Sequence, residues 1–151
     1  MPKKIALKLG YESPFTVFSV FTTQKDYRLA WLMNQQLSIE LKRIGDYTHS
    51  FSESQKAGFP LYHFHYRQYR MPIFLLGNKS TEGAIVTDTP VPDFLVLFCN
   101  VSEFFDLKQF QKEMRKIKQV QTLAPLDEKA RNKYEDFFYD LEYFLTEQHV
   151  I

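Results

Sequence analysis

Two histidines stand one residue apart in the stretch YHFHYRQYR, residues 62–70, where the residue types could first support chemistry. On a β-strand, residues two apart point to the same face, so the imidazoles of His63 and His65 could reach one ion. Zinc and copper accept imidazole, but two ligands do not make a site. Neither His49 nor His149 completes a metal-binding spacing, and Cys-x-x-Cys and His-x-x-Glu-His are absent. We therefore expect no metal ion and no other cofactor.

Strand periodicity divides the same stretch into two faces. An aromatic face is typical of a core, and here it would hold Tyr62, Phe64, Tyr66, Gln68 and Arg70. The opposite face, which also includes Leu61 and Tyr69, is basic and could contact phosphates and stack on bases. With a basic pair from an earlier strand, this candidate nucleic-acid face consists of Lys42, Arg43, His63, His65 and Arg67. A formal net charge of +1 creates no field over the whole molecule that would hold a polyanion, so a solvated strand face is the simpler interpretation.

Nucleophilic catalysis has little support in this sequence. The single cysteine, Cys99, follows the apolar run FLVLF and reads as a small buried residue rather than a thiolate. There is no Gly-x-Ser-x-Gly elbow and no glycine-rich phosphate loop. The carboxylates Asp88 and Asp93 lie near turns, where such groups are usually solvated. We predict no catalytic residue, and a small-molecule enzyme is only the third functional hypothesis.

The elements that would position these residues alternate between strand and helix periods. Runs of strands with helices between and after them predict one α+β domain over residues 1–151, with a mostly antiparallel sheet of five to seven strands and about three helices. The polar segment 45–60 is expected to be a mobile loop. Helix starts are indicated by Thr23 with Asp26, by Asn100 with Glu103, and by Asp127. Strands are predicted at 4–9, 15–22, 39–44, 61–70, 72–79, within 84–100 and at 119–126, and helices near 24–37, 103–118 and 127–147.

Targeting and membrane signals are weak in this chain. Residues 1–14 contain lysines but no apolar stretch long enough for a signal peptide. The longest apolar runs, such as residues 94–98, are far shorter than a membrane span. We expect a cytoplasmic protein that makes no membrane contact.

The last predicted helix, residues 127–147, combines acidic charge with many aromatic side chains. It has seven acids and three bases, for a net charge of −4, whereas residues 103–118 have a net charge of +2. Two such helices could pair with each other, or each could face a partner protein. The helix holds more aromatic surface than one buried stripe needs, so we predict an interaction surface made of Phe138, Tyr139 and Tyr143. The leading hypothesis is a non-enzymatic protein–protein interaction module capable of self-association, and the alternative is nucleic-acid binding.

Two stretches together resemble a known family. KDYRLAWLMNQQL, residues 25–37, is similar to a Lys-Asp-Tyr-Arg-Leu helix near the start of the IPExxxVDY family, an uncharacterised bacterial family typical of Bacteroidetes. VTDTPVPDF, residues 86–94, resembles the motif that names the family, with Thr87 and Pro92 departing from it, and GNKSTEG before it resembles the family's Asn-Lys turn. The resemblance implies a small cytoplasmic bacterial protein, and it supplies no catalytic residue. In this comparison Val86, Asp88, Asp93 and Phe94 stand for Ile, Glu, Asp and Tyr.

These two motifs allow two physical interpretations. In the first, Asp26 is favoured by the dipole of its helix, and an ion pair between Arg28 and Asp93 ties that helix to residues 86–94 as scaffold. In the second, the polar residues of both motifs line one pocket, formed by Asp26, Arg28, Asn34, Asp88 and Asp93. We favour the scaffold.

Overall fold

The structure, a computed structural model, describes residues 11–151 and has the predicted α+β architecture. The strand predicted at 4–9 lies outside the described residues. Six strands form one antiparallel sheet in the order β2-β3-β4-β7-β1-β8, and β5 with β6 forms a small separate hairpin. The strands are β1 (Phe15–Phe21), β2 (Lys42–Ser50), β3 (Lys56–Tyr66), β4 (Met71–Gly77), β5 (Lys79–Ser80), β6 (Gly83–Ala84), β7 (Phe94–Cys99) and β8 (Thr122–Pro125), and the helices are α1 (Asp26–Leu37), α2 (Leu107–Arg115), α3 (Glu128–Lys133) and α4 (Glu135–Glu147).

Both faces of the sheet are buried. Successive side chains of a strand point to opposite faces, so a central strand covered on both sides must be apolar throughout. The central strands β4 and β7 are buried at every position, and they correspond to the strands predicted at 72–79 and within 84–100. One face packs against Leu29 and Met33 of α1 and Phe110 of α2. The other packs against side chains of α4, including Phe137, Phe138, Leu141 and Leu145.

The hairpin of β2 and β3 replaces the mobile loop predicted at 45–60. The prediction was wrong because β2 is an edge strand with few buried positions, so its sequence lacks the apolar alternation that marks a half-buried strand. Tyr47 is its one fully buried residue, and it lies opposite Phe59 of β3. The register shifts by one residue at Gly45, whose φ of 118° is available to glycine and costly for other residues.

Strand β3 ends earlier than the sequence indicates. The chain leaves the sheet at Tyr66 and forms a 3₁₀ helix over Arg67–Tyr69, after which Arg70 has a left-handed φ of 50°. The predicted alternation over 61–70 therefore stops at Tyr66. Tyr66 and Phe64 pack against the α1 side of the core, as predicted for the aromatic face. Arg67 does not continue the face that carries His63 and His65.

Two helix starts differ from those predicted, and one is confirmed. Helix α1 begins at Asp26, so Thr23 is not its cap. Helix α2 begins at Leu107 and is capped by Asp106, whose carboxylate accepts the Gln109 N–H at 3.0 Å, whereas Asn100 lies in a left-handed turn after β7. Asp127 caps α3 as predicted, accepting the Ala130 N–H at 2.8 Å.

The last helix is interrupted. Tyr134 has φ −104° and ψ 26°, which are not helical values, and it divides the predicted helix 127–147 into α3 and α4. The described residues thus form four α-helices, where about three were predicted. None of the helices within residues 11–151 is long and apolar enough to span a bilayer.

Candidate functional site

The predicted nucleic-acid face is not a continuous basic surface. Lys42 and His63 are paired across β2 and β3, but the guanidinium of Arg43 binds the Asp46 carboxylate at 2.5 Å and lies 3.8 Å from the carboxylate of Asp26. Two acidic partners therefore offset the charge of Arg43. The ring of His63 is half-buried, 5.1 Å from the ring of Phe74.

Burial lowers the pKa of His63, so its imidazole is neutral at neutral pH. The other members of the predicted nucleic-acid face lie apart from His63. His65 is exposed near the end of β3, and Arg67 is exposed on the 3₁₀ helix beyond it. Among the described residues no group of three or more His, Cys, Asp or Glu side chains could hold a metal ion. Cys99 is buried as predicted, and burial raises the pKa of its thiol to about 11.

Asp26 and Asp93 meet in one polar groove. The groove has a volume of about 550 Å³ and lies where α1 begins, beside the ends of β1, β4 and β7. Gly77 forms part of its floor, where the chain passes so close to Pro60 that a Cβ atom would lie 2.8 Å from the proline ring. Lys79 is the basic side chain of this groove.

Each carboxylate in the groove already has donors. Asp93 accepts the Thr22 N–H at 3.0 Å and binds the ammonium of Lys79 at 2.8 Å. Asp26 accepts the hydroxyl of Tyr62 at 2.7 Å. Burial and this hydrogen bond raise the pKa of Tyr62 to about 12, so the phenol remains a donor at neutral pH. Two carboxylates that are bound in this way link elements of the fold.

The predicted ion pair between Arg28 and Asp93 is wrong. Arg28 is exposed, and its guanidinium lies 4.8 Å from the centre of the Trp31 ring, one turn away on the same helix. Asp93 faces the groove, where Lys79 supplies its positive partner. The motif at 86–94 is therefore held to β1 and to Lys79, which follows β4, and the tie to α1 does not involve Arg28.

Asn34 and Asp88 lie away from the groove, so the five-residue pocket is not assembled. The side chain of Asn34 accepts the Leu41 N–H at 2.8 Å and donates to the Leu41 carbonyl at 3.2 Å, which fixes the connection from α1 to β2. Asp88 is exposed and binds the ammonium of Lys133 on α3. Only Asp26 and Asp93 of the predicted set come together.

Asn78 holds the 86–94 segment in place, a role that its resemblance to a surface Asn-Lys turn did not indicate. It is fully buried between β4 and β5, with 0% exposure. Its amide oxygen accepts the Val86 N–H at 2.8 Å, and its amide nitrogen donates to the carbonyls of Val86 at 3.0 Å and Pro92 at 2.8 Å. An asparagine followed by lysine reads as a surface turn, because nothing local shows that the next segment folds over it.

The interaction surface predicted on the last helix is partly buried in the core. Phe138 is fully buried, so the prediction was wrong for this residue. Tyr139 is half-buried with its ring 5.4 Å from that of Tyr11. Tyr143 is exposed, at 53%. The helix buries Phe138 because α4 covers much of one sheet face, so its buried stripe is wider than a single row.

Two of the four large aromatic side chains that are exposed among residues 11–151 lie together on α1. Tyr27 and Trp31, one turn apart, are 64% and 50% exposed, and Arg28 lies against the indole. We call these three residues the α1 aromatic face. Helical periodicity over residues 25–37 could have located this face, because Leu29 and Met33 lie on the opposite, buried side of the helix.

His49 of β2 is surrounded by aromatic side chains, including one from α4. Its imidazole centroid is 5.0 Å from Phe51, 5.8 Å from Phe137, 6.0 Å from Tyr47 and 6.3 Å from Phe59. Its Nδ1 atom is buried and has no hydrogen-bond partner. Burial lowers the pKa of His49, and the nearby Asp140 only partly opposes this effect.

We expect the protein to lose stability as the pH falls below 6.5, the ordinary pKa of histidine. Because the pKa is lower in the folded state, the unfolded chain binds more protons in this range, and the loss levels off below the folded-state pKa. One such group contributes a slope of at most about 1.4 kcal/mol per pH unit. Urea unfolding of His49→Phe should show a shallower acid slope than the unaltered protein. An unchanged slope would contradict this role, and His63→Phe measures the separate share of His63.

The chain matches no protein-family model and no curated protein. The resemblance of residues 25–37 and 86–94 to the IPExxxVDY family therefore stays a prediction.

Proposed function

We propose that this protein is a non-enzymatic protein–protein interaction module that self-associates through the α1 side of its sheet. The observation that carries the proposal is the α1 aromatic face. Trp31 is the only tryptophan of the chain, and together with Tyr27 and Arg28 it represents the three residue types most enriched in binding hot spots. Trp31 is half exposed to water, while the opposite side of its helix is packed against the core. Such a tryptophan is typical of an interface core.

The edge of the sheet is a weaker candidate for the interface. Strand β2 has no neighbour on its outer side in the sheet of the described residues. However, it bears the exposed charges of Lys42, Arg43 and Asp46 and the bulge at Gly45. Charges and bulges on an edge strand oppose pairing with another strand. Association through the helix face is therefore the better-supported route.

Nucleic-acid binding has less support, because Arg43 is bound to two carboxylates and His63 is half-buried. Together with the interaction function we propose the cytoplasmic location and the bacterial origin that the family resemblance implies.

Sedimentation velocity over a wide range of protein concentration tests the proposal. We expect the mass to rise from monomer to dimer, with the fluorescence of Trp31 shifting to shorter wavelength as the indole leaves water. Tyr27→Glu should raise the dimer dissociation constant by about tenfold or more, because it places a charge inside the interface.

The matched control is Tyr143→Glu, which places the same charge at an exposed tyrosine on the other side of the sheet. This variant should associate as the unaltered protein does. A monomer at every concentration, or loss of association in Tyr143→Glu alone, would overturn the proposal.

A further inference from the structure

An aromatic groove of about 400 Å³ opens at the end of α1. Leu37 of α1 forms one side, Tyr69 of the 3₁₀ helix forms a second, and Phe105 of the segment before α2 forms a third. The ring of Phe105 lies 5.2 Å from those of Tyr66 and Tyr69, so the walls are held by ring contacts. The groove is therefore built into the packed core of this side of the sheet.

Phe104 stands beside this groove and points away from the core. It is 80% exposed, the highest value among the large hydrophobic side chains described, while its neighbour Phe105 is packed in the groove wall. Its ring makes none of the aromatic contacts found within residues 11–151. A projecting phenylalanine next to an aromatic groove gives one patch both a knob and a hole.

Exposed residues of opposite charge flank the lining residues of the groove in the sequence. Arg67 and Arg70 flank the tyrosine wall, and both are exposed. Glu103 and Asp106 flank Phe104, also exposed, with Lys108 following in α2. Within the described part of the chain none of these five side chains forms an ion pair. The side of the patch with Arg67 and Arg70 is thus basic, and the segment 103–106 on the other side is acidic.

We propose that a second copy of this chain occupies the groove. Phe104 of each copy enters the groove of the other, and the acidic segment 103–106 of each lies against Arg67 and Arg70 of the other. A two-fold axis satisfies both requirements at once, because a patch that carries a knob beside a hole is self-complementary under such an axis. Opposite charges on the two walls fix the relative orientation of the copies.

This inference rests on the proposed self-association and names its contact. Leu37 lies six residues beyond Trp31 on α1, which is about 9 Å along the helix axis. An ordinary dimer interface buries about 800 Å² per partner, a patch roughly 28 Å across, which is well over 9 Å. An interface of this size can include both the α1 aromatic face and the groove, with Leu37 projecting about 120° around the helix from Trp31.

Phe104→Ala tests the knob. We expect a rise in the dimer dissociation constant of about tenfold or more by sedimentation, because the ring is the central apolar contact. The thermal midpoint of the monomer should stay unchanged, because the ring is exposed there. Tyr143→Ala is the matched control and should leave the dissociation constant unchanged.

A charge exchange tests the two-fold arrangement. Arg67→Glu and Glu103→Arg should each weaken the dimer, and the double variant should restore it, because the interacting charges are swapped across the axis. Failure of the double variant to recover would overturn the arrangement. If the unaltered protein dimerises and Phe104→Ala does so equally well, this inference fails while the proposed function stands. If the unaltered protein stays monomeric, both fail.

Discussion

Asn78→Ala should lower the free energy of unfolding by about 4 kcal/mol, because it removes three buried hydrogen bonds at once. The substitution leaves the Val86 N–H and the carbonyls of Val86 and Pro92 without their side-chain partner. Each buried polar group left unpaired costs about 1–3 kcal/mol, which far exceeds the net gain of an ordinary hydrogen bond. Urea unfolding measures the change, and an unaltered slope with denaturant would show that the unfolding remains a single transition.

Two further variants make this prediction specific. Asn132→Ala removes the same side chain at an exposed position of α3 and should change the stability by less than about 0.5 kcal/mol. Asn78→Asp keeps the shape and one acceptor, but it turns a carboxylate towards two carbonyl oxygens and should be destabilising as well. A loss below about 1 kcal/mol in Asn78→Ala would show that the 86–94 segment does not depend on this side chain.

Phe138→Ala should cost about 4 kcal/mol of stability, because it removes a fully buried ring and leaves a cavity. The ring centroid lies 4.9 Å from that of Phe137 and 6.1 Å from that of Phe15 on β1. The loss is therefore felt both within α4 and at its contact with the sheet. Thermal and urea unfolding should both report it.

The comparison with Tyr143→Ala separates a core role from an interface role. Tyr143 lies on the same helix but is 53% exposed, so its truncation should cost less than about 1 kcal/mol. If Phe138→Ala instead weakened self-association and left the stability unchanged, the ring would belong to a surface and α4 would pack differently from the arrangement described above.

The central strands of the sheet were predictable because their local composition indicates burial. A strand covered on both faces must be apolar at consecutive positions, and β4 and β7 are. The edge strand β2 was predicted only as far as residue 44. Its continuation to Ser50 was missed for the opposite reason, since this part is fully buried only at Tyr47 and resembles a polar loop. The cap at Asp127 was found because a cap involves residues three apart, whereas the break at Tyr134 has no such local signature.

The candidate site was less predictable than the fold. Sequence motifs drew attention to Asp26 and Asp93, which do meet in one groove, but they also suggested Asn34 and Asp88, which do not. Phe138 was expected on a surface because the aromatic content of a helix does not indicate how wide a stripe of that helix is buried against the sheet. Phe104 was passed over, since its exposure depends on where α2 begins.

By itself the sequence determined the class of this protein, namely an α+β fold whose central strands are continuous apolar runs. These properties follow from composition and period, which act over a few neighbouring residues. Only the tertiary structure decided that Asn78 is buried, that Arg43 lies beside Asp26 and that Phe104 faces water. Burial and pairing arise between segments far apart in the chain, so no local pattern can specify them.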